Sequence, residues 1–176
     1  GNDTIVLSTE SASAEQVVLV SDGELDVVVN FTIAQDTLDF VGTWGVVIDQ
    51  AEDTDVYGDN GAAGGANEDE LEDMADGEVG LIDFADLTSL AAGTTFAAVT
   101  DAAILAAVND DADFGNDAAA GAQSNLLIVT DGEDNAMKVY LLEDTDGDAD
   151  WEAATLIDHL DLMDTDADAL TTAEII

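Results

Sequence analysis

Acidic side chains in one short turn are the residues of this chain best suited to chemistry. The turn follows an apolar run at 139–142, precedes a second apolar segment around 156–162, and contains Gly147. Its carboxylates occupy alternate positions: Asp144, Asp146, Asp148, Asp150 and Glu152. Alternate carboxylates in a tight turn can face one centre, where they repel one another unless a hard cation is bound. Because calcium accepts about six to eight oxygen ligands in flexible geometry, the pattern predicts a calcium site that organises the C-terminal part of the fold.

The spacing of these acids departs from a standard EF-hand loop. An EF-hand has Gly at its sixth position and a bidentate Glu at its twelfth, whereas counting from Asp144 these positions hold Ala149 and Thr155. Glu152 falls where a water-mediated ligand would lie. We therefore predict a looser Asp-rich calcium turn, and the alternative is a solvated acidic loop without an ion.

Other Asp-rich segments provide second-choice metal ligands. Two of them are loops rich in Asp, Gly and Ala, and the third is the turn between two predicted strands. Their acids are Asp53, Asp55, Asp59, Asp111, Asp113, Asp117, Asp131 and Asp134.

The charge of the chain limits its partners. Asp and Glu number 42, the net charge is −41, Lys138 is the one basic side chain and His159 the one histidine. Nucleic acid is excluded as a partner because binding it needs a basic face, and anionic membrane surfaces are unfavourable for the same reason. Bound divalent cations or high salt would relieve the self-repulsion, which indicates a saline or calcium-rich extracellular setting or, alternatively, a halophile's cytoplasm.

The pattern of apolar residues predicts a packed, mainly β fold. Hydrophobic residues make up 47% of the chain, which is too many for a disordered acidic tail. We expect a β-sandwich or β-roll-like domain with one or two short helices and Asp/Gly-rich calcium loops. Strands are predicted at 4–7, 16–20, 26–33, 38–41, 45–48, 79–84, 125–130, 138–142 and 155–160, with helices at 94–108 and near 67–74.

These elements suggest three regions within one compact unit. Residues 1–50 form an N-terminal β segment, 51–124 an acidic loop and helix insertion, and 125–176 a C-terminal β region that carries the Asp-rich turn. The run Val27-Val28-Val29 predicts a strand buried on both faces. We place the start of the main helix at Thr94 or Thr95, either of which can cap it.

The chain lacks the usual signatures of an enzyme. It has no Cys, and none of the Gly-x-Ser-x-Gly, Walker or dinucleotide glycine patterns occurs. A lone His159 in a predicted strand is more often structural than catalytic. We therefore predict a protein without catalytic residues.

No apolar run approaches the roughly 20 residues that a membrane-spanning helix needs.

Two stretches resemble RTX-type proteins. Gly1-Asn2-Asp3-Thr4-Ile5 resembles the last turn of the nonapeptide repeat Gly-Gly-x-Gly-x-Asp-x-aliphatic-x, and residues 30–40 resemble the segment that often follows such repeats. Asn30 stands there where Asp is usual, and Ala34 where Gly is usual. Residues 125–176 are similar to the C-terminal domains of RTX-type calcium-binding surface and S-layer-like proteins. Residues 51–124 have no such match.

This resemblance implies calcium-dependent folding, type I secretion with an uncleaved C-terminal signal, and a role at the cell surface. We predict a secreted, calcium-stabilised structural protein whose partners are calcium and copies of itself, assembled as a surface layer or filament. The alternatives are a calcium-dependent adhesin or ligand-binding module, and a non-catalytic fragment of an extracellular hydrolase. The predicted assembly contacts are apolar residues near the two termini and one tryptophan: Thr4, Ile5, Val6, Leu7, Trp151, Ile175 and Ile176.

Overall fold

The computed structural model describes twelve stretches of the chain. They are residues 3–9, 14–20, 26–32, 35–41, 56–58, 77, 79–85, 87, 89–110, 122–131, 136–148 and 150–162. The strands are β1 (Thr4–Val6), β2 (Gln16–Val20), β3 (Asp26–Phe31), β4 (Thr37–Val41), β5 (Val56–Gly58), β6 (Val79–Asp83), β7 (Gln123–Thr130), β8 (Ala136–Asp144) and β9 (Ala153–Leu162). One α-helix, α1 (Asp101–Asp110), and a single-turn 3-10 helix at Phe96–Ala98 complete the described elements.

Seven of these strands form one mixed sheet in the order β1-β3-β9-β8-β7-β6-β5. Strand β8 is antiparallel to both of its neighbours, and the other described pairs are parallel. The predicted hairpin between β7 and β8 is confirmed, and the Asp131 backbone N–H donates to the Ala136 carbonyl at 3.1 Å where it begins. A second hairpin joins β8 to β9, and the predicted calcium turn lies at its tip.

Strands β2 and β4 form a separate parallel ribbon. The chain passes from the large sheet to the ribbon twice, first from β1 to β2 and again from β3 to β4. The buried Asp36 carboxylate joins these passes, since its oxygens accept the backbone N–H groups of Glu15 and Thr32 at 3.0 and 2.8 Å. The mainly β prediction is thus confirmed, while the finer choice of a sandwich or a β-roll stays a prediction.

The large sheet buries both of its faces. On one face the ribbon covers an apolar core that contains Val139 of β8 and Leu38 of β4. On the other face α1 and the segment before it cover a second core, which contains Tyr140, Leu142 and Ile104. Successive residues of β8 therefore pack into the two cores on opposite faces of the sheet, which explains why its apolar run is unbroken. In β3, however, Val28 is buried while Val27 and Val29 are half-buried, so the expected burial on both faces is incomplete there.

Helix α1 begins later than its sequence suggested. The prediction of a helix over 94–108 capped by Thr94 or Thr95 was wrong at its start, because Val99 is extended with φ −63° and ψ 138°. Thr100 caps the helix instead, and its Oγ1 accepts the Ala103 backbone N–H at 3.3 Å. An acid directly after the cap, Asp101, suits the positive end of the helix dipole.

Candidate metal centre

The tip of the β8–β9 hairpin is built around Asp144. This residue ends β8 and is 2% exposed, and its Oδ1 accepts the backbone N–H groups of Asp146 and Gly147 at 3.0 and 2.6 Å. Gly147 adopts φ 77°, a left-handed conformation that costs glycine least. The sequence therefore closes this turn locally, through one carboxylate and one glycine.

Four carboxylates meet at this tip. Each of Asp144, Asp146, Asp148 and Glu152 offers an oxygen, and these atoms all lie within 4.8 Å of one another. Asp144 is buried, and the other three are exposed. Glu152 is held toward the turn because its Oε2 accepts the Thr145 backbone N–H at 2.5 Å and the Thr145 hydroxyl at 3.1 Å. The group could hold a metal ion, with one ligand fixed in the protein and three open to solvent.

The negative charges of this group act against one another. The pKa of Asp146 is raised above its ordinary value chiefly by the charge of Asp148, with burial and the charges of Glu152 and Asp144 adding to the effect. A raised carboxyl pKa means that the neighbouring negative charges disfavour ionisation. A bound cation would relieve this repulsion.

Two further predicted ligands that the structure describes, Asp150 and Asp131, do not join the group. Asp150 lies outside it, and its backbone N–H donates to Asp148 Oδ1 at 3.2 Å. Asp131 is half-buried at the end of β7 and belongs to no such group among the described residues. The other second-choice ligands lie outside the described residues: Asp53, Asp55, Asp59, Asp111, Asp113, Asp117 and Asp134.

Trp151 anchors the turn to the protein interior. Its side chain is 3% exposed and packs in the core beneath α1, so it contributes to the fold, and its role as an assembly contact stays a prediction. Its backbone is bound by Asn109 of α1: Asn109 Oδ1 accepts the Trp151 N–H at 2.9 Å, and Asn109 Nδ2 donates to the Trp151 carbonyl at 2.8 Å. Sequence reasoning missed Asn109, because nothing local marks a partner 42 positions away.

The one lysine and the one histidine lie together near the N-terminal end of β8, away from the acidic turn. Lys138 and His159 are partners in the β8–β9 register. Lys138 Nζ donates to the Phe96 carbonyl at 2.7 Å and lies 4.9 Å from the centre of the Phe96 ring. Burial lowers the pKa of Lys138, although the charge of Asp101 opposes this. Burial also lowers the pKa of His159, and the charge of Lys138 adds to the effect while Asp161 opposes it.

Asp158 is a buried acid that sequence reasoning did not single out. It is fully buried, its Oδ1 accepts the His159 backbone N–H at 2.7 Å, and its Oδ2 has no hydrogen-bond partner in the described structure. Burial raises its pKa to about 7, the His159 N–H opposes this rise, and the charge of Asp26 on β3 adds to it. Its register partner Val139 belongs to the core between the large sheet and the β2–β4 ribbon. Asp158 therefore lies on the face of the sheet that the ribbon covers.

Strand β1 forms one edge of the large sheet. Of the predicted contacts in this strand, Thr4 is exposed and Val6 is 66% exposed. Ile5 packs against the ribbon-side core and Leu7 belongs to it, so both side chains stabilise this core within the single chain. Ile175 and Ile176 lie outside the described residues.

No known family model, curated protein or solved structure matches this chain. The similarity to RTX-type proteins therefore rests on the motif residues alone. No helix among the described residues has both the length and the apolar character needed to cross a membrane.

Proposed function

We propose that this chain is a secreted, calcium-stabilised structural protein that self-associates at an extracellular surface. The observation that carries the proposal is the group of four carboxylates at the β8–β9 tip. Self-association is the second part of the proposal, and it depends on the outer edge of β1, beside which no other described strand pairs.

Calcium is the cation that suits this group best. It accepts carboxylate, backbone and water oxygens in irregular geometry, whereas magnesium needs a near-octahedral shell and keeps most of its waters. Four carboxylates leave room for backbone and water ligands, and three of them are exposed. Exposed sites of this kind suit the weak affinities of extracellular modules, on the order of 0.1–1 mM.

The edge of β1 supports self-association. Parallel pairing with β3 uses backbone groups on alternate residues of β1, as in the bonds Leu7 N–H to Val29 O and Val27 N–H to Asp3 O. The backbone groups of Thr4 and Val6 therefore face away from β3, where a strand of a second copy could pair with them. With a net charge of −41, such pairing needs cations to neutralise the approaching surfaces.

Calorimetry with matched variants tests the calcium site. Asp148→Asn and Glu152→Gln should each weaken calcium binding about tenfold or more, because each removes a charged ligand. Asp150→Asn is the control, since it removes the same charge from the same turn but from outside the group. Equal losses in all three variants, or a thermal melt at low salt that a chelator does not change, would refute the site.

Sedimentation tests the assembly. The protein should be monomeric in chelator and should associate when about 1 mM or more calcium is added. Val6→Lys should block association, because a lysine on an edge strand opposes strand pairing. Val18→Lys is the control, since Val18 is 48% exposed but lies on the separate ribbon. A monomer at every calcium concentration would favour a calcium-dependent ligand-binding module instead.

A further inference from the structure

One side-chain amide connects the acidic turn to helix α1. Asn109 accepts a hydrogen bond from the Trp151 N–H at 2.9 Å and donates one to the Trp151 carbonyl at 2.8 Å. Both backbone groups of Trp151 are thus bound by a single residue. The next residue in the chain is Glu152, one of the four clustered carboxylates.

The same two residues are held in place by packing. Asn109 lies in the last turn of α1, whose Ile104, Ala107 and Val108 are buried against the large sheet. The Trp151 indole is buried in the same core, and so is Ala154 at the start of β9. A displacement of the backbone at 151–152 must therefore either break two hydrogen bonds to α1 or move the helix with it.

Repulsion within the turn acts on this connection. Glu152 is tied to the turn through Thr145 and to β8 through its backbone N–H, which donates to the Glu143 carbonyl at 2.9 Å. Mutual repulsion of the four carboxylates opposes the closed turn, and a cation reverses the sign of that force. Repulsion among these carboxylates therefore acts on the segment that Asn109 holds.

We propose that Asn109 is a positioning residue for the cation site, and that it couples occupancy of the β8–β9 turn to the docking of helix α1. This inference rests on the calcium site proposed above. By linkage, the coupling is reciprocal: calcium strengthens the docking of α1, and the docked helix raises calcium affinity by the same factor.

Two matched variants of the full chain separate this coupling from a general effect on the helix. Asn109→Ala removes both hydrogen bonds, and Asp110→Ala changes the adjacent exposed residue of the same turn. Because Ala has a higher helix propensity than Asn or Asp, both substitutions favour α1 by propensity alone. A purely local role for Asn109 therefore predicts that the two variants behave alike.

Calcium calorimetry and amide hydrogen exchange with and without calcium measure the coupling. We expect calcium to slow exchange at Ile104–Val108 in the wild type and in Asp110→Ala, and to do so much less in Asn109→Ala. Losing two hydrogen bonds should weaken calcium affinity about three- to tenfold in Asn109→Ala. Wild-type affinity in Asn109→Ala, or an unchanged effect of calcium on its α1 amides, would overturn the coupling alone. A wild-type chain that binds no calcium would overturn the site and the coupling together.

Discussion

Replacing Asp158 with Asn should stabilise the fold above pH 7 and remove much of its pH dependence in the neutral and mildly acidic range. The wild-type carboxyl is fully buried, and burial raises its pKa from 3.8 to about 7. Asn keeps the oxygen that accepts the His159 N–H but carries no charge. It also removes the repulsion from Asp26, the residue that faces Asp158 across the β3–β9 pairing.

The sign of the effect follows from proton binding. Above about pH 7 the carboxyl is ionised in both states, and only the folded state carries the cost of a buried charge. As the pH falls through this value, the folded chain takes up a proton while the unfolded chain stays ionised down to about pH 3.8. The contribution of Asp158 to stability therefore rises as the pH falls between these two values.

The magnitude follows from the same two pKa values. One pKa unit corresponds to about 1.4 kcal/mol, so the full difference is on the order of 4 kcal/mol. About 2–3 kcal/mol of it should develop between about pH 8 and about pH 5. This is a large fraction of the roughly 5–15 kcal/mol that holds a typical domain folded.

Urea unfolding at fixed calcium and ionic strength measures this difference. The free energy of unfolding of Asp158→Asn, minus that of the wild type, should be largest near about pH 8 and fall toward about pH 5. His159, whose pKa is lowered from 6.5, favours the fold above that value and loses this contribution as the pH falls, so subtraction is needed to remove it. Asp161→Asn, an exposed change in the same strand, is the control. Parallel pH curves for wild type and Asp158→Asn would refute the reasoning, and so would an equal effect of Asp161→Asn that goes beyond its action on His159.

Three further substitutions test the core beneath α1 and the segment that precedes the helix. Tyr140→Phe should leave the free energy of unfolding unchanged or raise it by about 1–2 kcal/mol, because the buried Tyr140 hydroxyl has no hydrogen-bond partner in the described structure. In the same urea assay Leu142→Ala should lower the free energy of unfolding by about 2–5 kcal/mol, because it leaves a cavity in the core. Lys138→Met should cost about 1–3 kcal/mol and speed amide exchange at residues 94–99, because it removes the donor to the Phe96 carbonyl. Unchanged exchange there would show that Lys138 does not hold this segment.

The sequence alone was sufficient for the features that depend on near neighbours. Short runs of branched, aliphatic and aromatic residues predicted β1 to β4 and β6 to β9 to within a few residues, because branched and aromatic side chains favour extended backbone. The acidic group was also predictable, since its members span only positions 144 to 152 and one tight turn brings them together. Its exact membership was not: Asp150 has the right spacing, but the turn leaves it outside.

Contacts between distant parts of the chain were decided by the tertiary structure. A period of two in a strand indicates which residues share a face, but not which layer will cover that face or which strand will pair beside it. Asp158 looks like any other acid in β9, and only the ribbon-side core above it makes it a buried one. Asn109 binds Trp151 because β6, α1 and β7 bring the helix back over the sheet. The start of α1 at Asp101, directly after its Thr100 cap, was decided in the same way, since the extended backbone of Val99 keeps Phe96 against Phe84 and Lys138.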